Sequence, residues 1–217
     1  MLGKDEIREF YDRFGKKQDS QAFYEDPAVE VLIRNAAFDR AEGVVEFGCG
    51  TGRFAARLLS EHLSDSAHYW GCDVSGTMVE LARIRTRSFG TRAEIVRTDG
   101  ELSLPLSDSS RDRFVCNYVL DLLAAEEADE IVAEARRILK VGGLVCSVSI
   151  TDGIGPLSRL VMTLWKGIYA LRPSIVGGCR PVHLSRHLVS PGWEIVHQSK
   201  VAAFGVASEV FVGRKLS

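Results

Sequence analysis

From Val44 to Ile150, short apolar runs alternate with segments of helical period, the pattern of a parallel sheet whose strands are joined by crossover helices. The runs predict strands over residues 44–47, 68–72, 93–98, 113–118 and 144–150, with helices over 53–62, 76–89 and 126–139 between them. Ser75 is placed to cap the second helix, and Gly90 and Gly142 to close two helices where a left-handed residue is wanted. After residue 191 the rhythm changes. "GWEIVHQSKVAAFGVASEVFVGRK" reads as two strands joined near Phe204 and Gly205, so the sheet should end in an antiparallel hairpin.

Two pieces lie outside this alternation. Before Val44 the pattern predicts two helices, the second opened by Asp26 as cap with Pro27 in its first turn. Residues 151–191 contain "GPLSRLVMTLWKGIYALRP", in which Arg159, Thr163 and Lys166 share one narrow face of an otherwise apolar helix. Such a helix suits a core, lid or dimer contact, or an interfacial position on a membrane. The chain is thus expected to form a single domain, 1–217. Its parts are an N-terminal helical cap (1–43), a core (44–150), a substrate-side insertion (151–191) and a terminal hairpin (192–217).

With 217 residues, 46% of them hydrophobic, the chain can bury a sizeable core. A net charge of −2 gives no footprint for nucleic acid, so a small-molecule partner is expected. The five cysteines form no CxxC pair, which indicates neither a metal site nor a disulfide framework and fits a reducing cytoplasm. No window approaches the roughly 18 apolar residues of a membrane span, which leaves only peripheral membrane contact. The composition allows a monomer or a homodimer.

Candidate chemistry gathers at the predicted strand ends. "VVEFGCGTG" runs from a strand into Gly48, Gly50 and Gly52, and a ligand binds such a sheet beyond this turn. Glycine there permits positive φ and removes the Cβ that would block a ligand. Asp73, ending the second strand, suits a ribose diol; Asp99, ending the third, suits an adenine amine, with the backbone of Gly100 or Glu101 beside the ring. A dinucleotide fingerprint would need glycine where Arg53 stands. Glu46, just before the glycines, suits a cationic amino-acid head group better than a diphosphate. The loop asks for adenosine at one end and an ammonium at the other.

"VVEFGCGTG", "GCDVSGTMVELAR", "IVRTDGELSLPLSDSSRDRFVCNYVLDLL" and "RRILKVGGLVCSVSI" resemble, in order, the motifs of class I S-adenosylmethionine (SAM) dependent methyltransferases of the small-molecule type. Ubiquinone/menaquinone-biosynthesis and phospholipid N-methyltransferases are the groups most resembled. The resemblance implies an α/β Rossmann-like doubly wound fold, a seven-stranded sheet of order 3-2-1-4-5-7-6, with SAM as donor and S-adenosylhomocysteine as product. It gives Glu46, Gly48, Cys49, Gly50 and Gly52 the methionine end of SAM. Asp73 takes the ribose, Val74 and Met78 the adenine face, and Asp99, Gly100 and Glu101 the adenine edge. Asn117 and Tyr118 lie under the methyl group. Glu46 replaces the commoner Asp, and Asp121 stands where many relatives carry His.

If the acceptor must lose a proton, Asp121 and His183 are the candidate bases. Tyr11, Phe14 and Trp165 are candidate acceptor contacts, and Arg180 suits an acidic group. An aromatic cover favours a small apolar or aromatic acceptor attacked at O, N, S or C. Two alternatives remain open: head-group N-methylation of phospholipid at a membrane surface, and a non-catalytic SAM-binding partner subunit.

Overall fold

The computed structural model describes residues 2–188 and 192–217. Five parallel strands, β1 (Gly43–Phe47), β2 (His68–Asp73), β3 (Ala93–Arg97), β4 (Arg111–Asn117) and β5 (Leu139–Ile150), are joined by an antiparallel pair, β6 (Trp193–Ala203) and β7 (Val206–Lys215). They form one sheet of order β3-β2-β1-β4-β5-β7-β6. The β6–β7 turn is made by Phe204 and Gly205, both at positive φ, as a two-residue hairpin turn requires.

Because side chains alternate across a strand, the continuous apolar runs feed two cores at once. Val44, Val115, Val148 and Val212 face α2 (Ala22–Asn35), α3 (Arg53–Glu61) and α4 (Gly76–Thr86), where Leu32, Leu58 and Ala82 meet them. Val45, Phe114, Val145 and Phe211 face α5 (Ala125–Ile138), which contributes Ile131 and Ile138. The strand order reverses between β1 and β4, and a crevice opens beyond their carboxyl ends.

The N-terminal helix α1 (Lys4–Phe14) and a 3-10 segment, Gly15–Gln21, lie across that crevice and are held by side chains. Asp12 accepts from Ser75 Oγ (2.5 Å) and Thr77 N (3.2 Å). Asp19 accepts from Thr51 Oγ1 and Arg85, each at 2.6 Å.

The structure corrects several expectations. Helix α2 begins at Ala22, and Pro27 lies inside it. The preceding 3-10 segment runs straight into the helix, and the Asp26 carboxylate is held by Arg53 instead of capping. Ser75 does cap α4, accepting from Met78 N at 3.2 Å. That helix ends at Thr86, however, with Gly90 in a later 3-10 segment. Gly142 closes no helix: α5 stops at Ile138 and Gly142 sits within β5 at positive φ, beside an irregularity in the β4–β5 register. The apolar helix α6 (Pro156–Leu171), for which a core position was one of the expectations, buries only Ser158 and Met162. The predicted end of the insertion, 189–191, lies outside the described residues. Among the described residues, no helix is long and apolar enough to cross a membrane, and no His, Cys, Asp and Glu cluster is arranged for a metal ion.

Candidate active site

Beyond β1 the chain turns through Gly48, Gly50 and Gly52, all at positive φ. Gly48 N and Cys49 N donate to the Cys72 carbonyl at 2.9 Å, tying the loop to the end of β2. The three glycines have different reasons. A Cβ on Gly52 would lie 2.7 Å from Ala82 Cα, so this glycine is demanded by the packing of α3 on α4, and it does not line the crevice. A Cβ on Gly48 would lie 2.3 Å from Val119, and one on Gly50 3.0 Å from Gln18 Oε1. Gly48 and Gly50 do line open space. The expectation that all three clear room for a ligand therefore narrows to two.

Asp73, at the end of β2, accepts from Gly50 N and Ser75 N, each at 2.9 Å. Burial pushes its carboxyl up to about 6 against the pull of those N–H groups. Glu46 is buried at the end of β1, where its carboxyl accepts a hydrogen bond from the Tyr69 hydroxyl. Burial, with the nearby Asp73 adding to it, pushes Glu46 up to about 8 despite that bond.

Two cavities meet at this loop. The first, about 790 Å³, has an edge of Asp73, Val74, Thr98 and Gly100 and an apolar wall of Ile7, Tyr11, Phe47, Leu102, Val119, Leu122 and Leu123. The second, about 690 Å³, is the more polar of the two, with Glu46, Thr51, Arg53, Glu25 and Asp26 beside Cys49, Val29 and Phe54. They share Gln18, Gly48, Gly50, Asn117 and Tyr118. At that junction both polar atoms of the Asn117 amide and Gln18 Oε1 are buried without a partner among the described residues. Buried amides that go unsatisfied in a cleft point to a polar ligand. Tyr118 holds a strained positive φ there, its hydroxyl 2.9 Å from Ser208 Oγ.

Glu46, Gly48, Cys49, Gly50, Asp73, Val74, Gly100, Asn117, Tyr118 and Tyr11 are thus brought together around the cavities. Met78 is buried beneath the loop, while Asp99 and Glu101 are exposed and outside the lining. Phe14 stacks on Phe10 instead of facing a cavity. Trp165 donates to the Cys179 carbonyl at 2.9 Å, and Arg180 to the Leu123 carbonyl at 2.6 Å, so both brace the wall from behind. His183 pairs with Asp152 (3.1 Å), away from the lining.

Asp121 does not cap α5, whose N-cap is Ala124. It is fully buried behind Leu122, accepts from Ile150 N at 3.3 Å, and burial pushes it up to about 7. Its Oδ1 is buried without a partner among the described residues, and Asp121 lines neither cavity.

Gln18, Lys4, Ile7 and Thr98 were not anticipated. Gln18 carries no sequence signal, since only the long-range docking of the 3-10 segment puts it over Gly50. Val119 and Leu122 lie in the quoted "NYVLDLL", where their apolar side chains carry no mark that separates a cavity wall from a core.

The model of the methyltransferase domain family matches residues 44–143. A tRNA N(3)-methylcytidine methyltransferase of Drosophila melanogaster is 26% identical over 126 residues, 57% of this chain and 39% of its own length. A malonyl-acyl-carrier-protein O-methyltransferase of a Marinomonas species is 29% identical over 156 residues, 70% and 54% of the two chains. A demethylmenaquinone methyltransferase of Lactobacillus johnsonii is 27% identical over 127 residues, 58% and 50%. The chain spans about half the length of these curated relatives. Among solved structures, the cyclase SpnF shares the fold with a TM-score of 0.74 at 16% identity, covering 99% of this chain and 97% of its own. A SAM-dependent methyltransferase from Methanosarcina mazei shares it at 0.64 and 20% identity, covering 85% and 97%. Residues 44–143, which carry the glycine loop and the acids that end β1 and β2, thus match the methyltransferase domain family, and the sheet has the order of the class I SAM-dependent methyltransferase fold.

Proposed function

We propose that the chain transfers the methyl group of SAM to a small, largely apolar or aromatic acceptor. The observation that carries this reading is the meeting of an apolar cavity and a polar one at the orphaned Asn117 amide. Bound SAM supplies a methyl group already activated by its sulfonium, so the protein has to align the acceptor and exclude water. Asp73 holds the ribose hydroxyls, with Val74 and Gly100 beside the base. Glu46 faces the ammonium across the Gly48–Gly50 backbone. Asn117 and Tyr118 form the floor at the reacting carbon. Tyr11, Leu122 and Leu123 give the acceptor an apolar wall, and the strap of α1 and the 3-10 segment keeps water out.

His183, held by Asp152, takes no part in this arrangement. Asp121, buried and lining neither cavity, does not reach the acceptor. Of the acceptors named for the relatives, the quinone type suits this wall, whereas a net charge of −2 gives little hold on tRNA.

Release of S-adenosylhomocysteine tests the reading on a panel of phenols, thiols, aromatic amines, quinols, phosphatidylethanolamine vesicles and tRNA. Turnover on an aromatic or apolar small molecule is expected. Turnover on tRNA alone would overturn the acceptor class, and SAM binding without turnover on any of them would favour a non-catalytic partner subunit.

Glu46 gives a second expected result. Its carboxyl is protonated at neutral pH in the free protein, being held at about 8, and an ammonium beside it lowers that value. Binding therefore releases its proton, and affinity rises with pH until the free carboxyl ionises near 8. Calorimetry at neutral pH in buffers of different ionisation heat should show close to one proton released, roughly tenfold more than in Glu46→Gln. Equal release from both proteins would remove Glu46 from the ammonium site.

A further inference from the structure

Helix α6 turns toward solvent a surface that globular proteins usually hide. Leu157, Leu160, Leu164, Ile168 and Leu171 follow at steps of three and four residues, so they share one face. All five are exposed, and the four leucines each leave more than half of their surface in solvent. The opposite side is the one that packs, through Ser158 and Met162. The patch continues past the helix. Val161 meets the β6–β7 turn, where a Cβ on Gly205 would lie 2.6 Å from its Cγ2. Next to it Phe204 is exposed and in edge contact with the exposed Phe23, ring centres 5.2 Å apart. A continuous apolar surface of this kind marks an interaction site.

Charge selects the occupant. Residues 153–193 hold Arg159, Lys166, Arg172, Arg180 and Arg186 and no Asp or Glu, in a chain whose net charge is −2; Lys166 pairs with Asp152 and Arg180 turns inward to the Leu123 carbonyl. Arg159, Arg172 and Arg186 are exposed and have no carboxylate partner among the described residues. A second copy docked face to face would bring like charges together. An anionic lipid surface answers both features, the acyl boundary taking leucine and phenylalanine and the head groups taking arginine.

We propose that α6 and the adjoining β6–β7 turn dock this protein on a membrane surface rich in anionic lipid, with the helix lying in the interface. Its 16 residues are too few to span the hydrocarbon, and among the described residues no helix qualifies as a span. The inference is independent of SAM binding and of the acceptor's identity.

Vesicle flotation of the whole chain tests it, with phosphatidylcholine alone against phosphatidylcholine carrying about one third phosphatidylglycerol. At low salt, roughly tenfold or more protein should float with the anionic vesicles, and raised salt should weaken this. The double variant Leu160→Glu/Leu164→Glu should stay in the soluble fraction while melting at the wild-type temperature, because both positions are exposed. Arg159→Glu/Arg172→Glu should lose the preference for anionic vesicles. Light scattering in the same preparations should report a monomer. Absence of flotation on either vesicle, equal flotation on both, or a dimer that Leu164→Glu splits would each overturn the proposal, the last in favour of a second copy of the chain.

Discussion

Asp73→Ala is expected to weaken SAM binding at least about a hundredfold, or roughly 2.7 kcal/mol. Two effects combine. The carboxylate is the proposed partner of the ribose hydroxyls, and charged acceptors make the stronger hydrogen bonds. It also accepts from Gly50 N and Ser75 N, so its removal leaves two backbone donors of the binding loop without their partner. Asp73→Asn separates the effects, because its amide oxygen keeps one acceptor while the charge is gone. Its affinity should fall between those of wild type and alanine. Calorimetric titration measures both, and a wild-type affinity in the alanine variant would place the ribose elsewhere.

Gly52→Ala should damage the fold more than the site. Its backbone is left-handed, at φ 73°, and the new methyl would sit 2.7 Å from Ala82 Cα and 2.8 Å from Ala82 Cβ. Backbone strain plus the forced separation of α3 from α4 should cost about 2–4 kcal/mol of stability. Gly50→Ala meets only the movable end of Gln18, at 3.0 Å, so its strain is smaller, but its methyl enters the lining. The pair therefore splits: denaturant unfolding should show the larger loss in Gly52→Ala, and SAM titration of folded protein the larger loss in Gly50→Ala. The reverse order would mean that the glycine loop is shaped by ligand at Gly52 and by packing at Gly50.

The sheet was readable because the inner strands carry short apolar runs that end at a glycine or an acid: Val44 to Phe47, interrupted by Glu46, before Gly48, and Tyr69 to Cys72 before Asp73. Those runs serve two faces, so periodicity of burial does not obscure them. The terminal hairpin was readable from Phe204 and Gly205. Local rules failed where distant partners decide. Asp26 followed by Pro27 looks like a helix start, yet Arg53 on α3 claims the carboxylate and the helix begins earlier. Gly142 has the positive φ that the sequence suggests, but strand pairing puts it inside β5.

At the site, the acids and glycines were visible because their chemistry is tied to strand ends. The cover was not, because Gln18 and Lys4 reach the cavities only through the docking of a segment anchored by Asp12 and Asp19. Aromatic residues gave a misleading signal. Of Tyr11, Phe14 and Trp165, only Tyr11 lines a cavity, while Phe14 and Trp165 satisfy neighbours on their own elements and behind the wall.

In the proposed arrangement SAM spans the joined cavities from Asp73 to Glu46. Titration of the purified chain with SAM by calorimetry tests it most directly. One site is expected, with a dissociation constant near the micromolar range, about −8 kcal/mol, weakened in Asp73→Ala and retained in His183→Ala. No binding heat together with no thermal stabilisation by SAM, or binding that Asp73→Ala leaves intact, would contradict it.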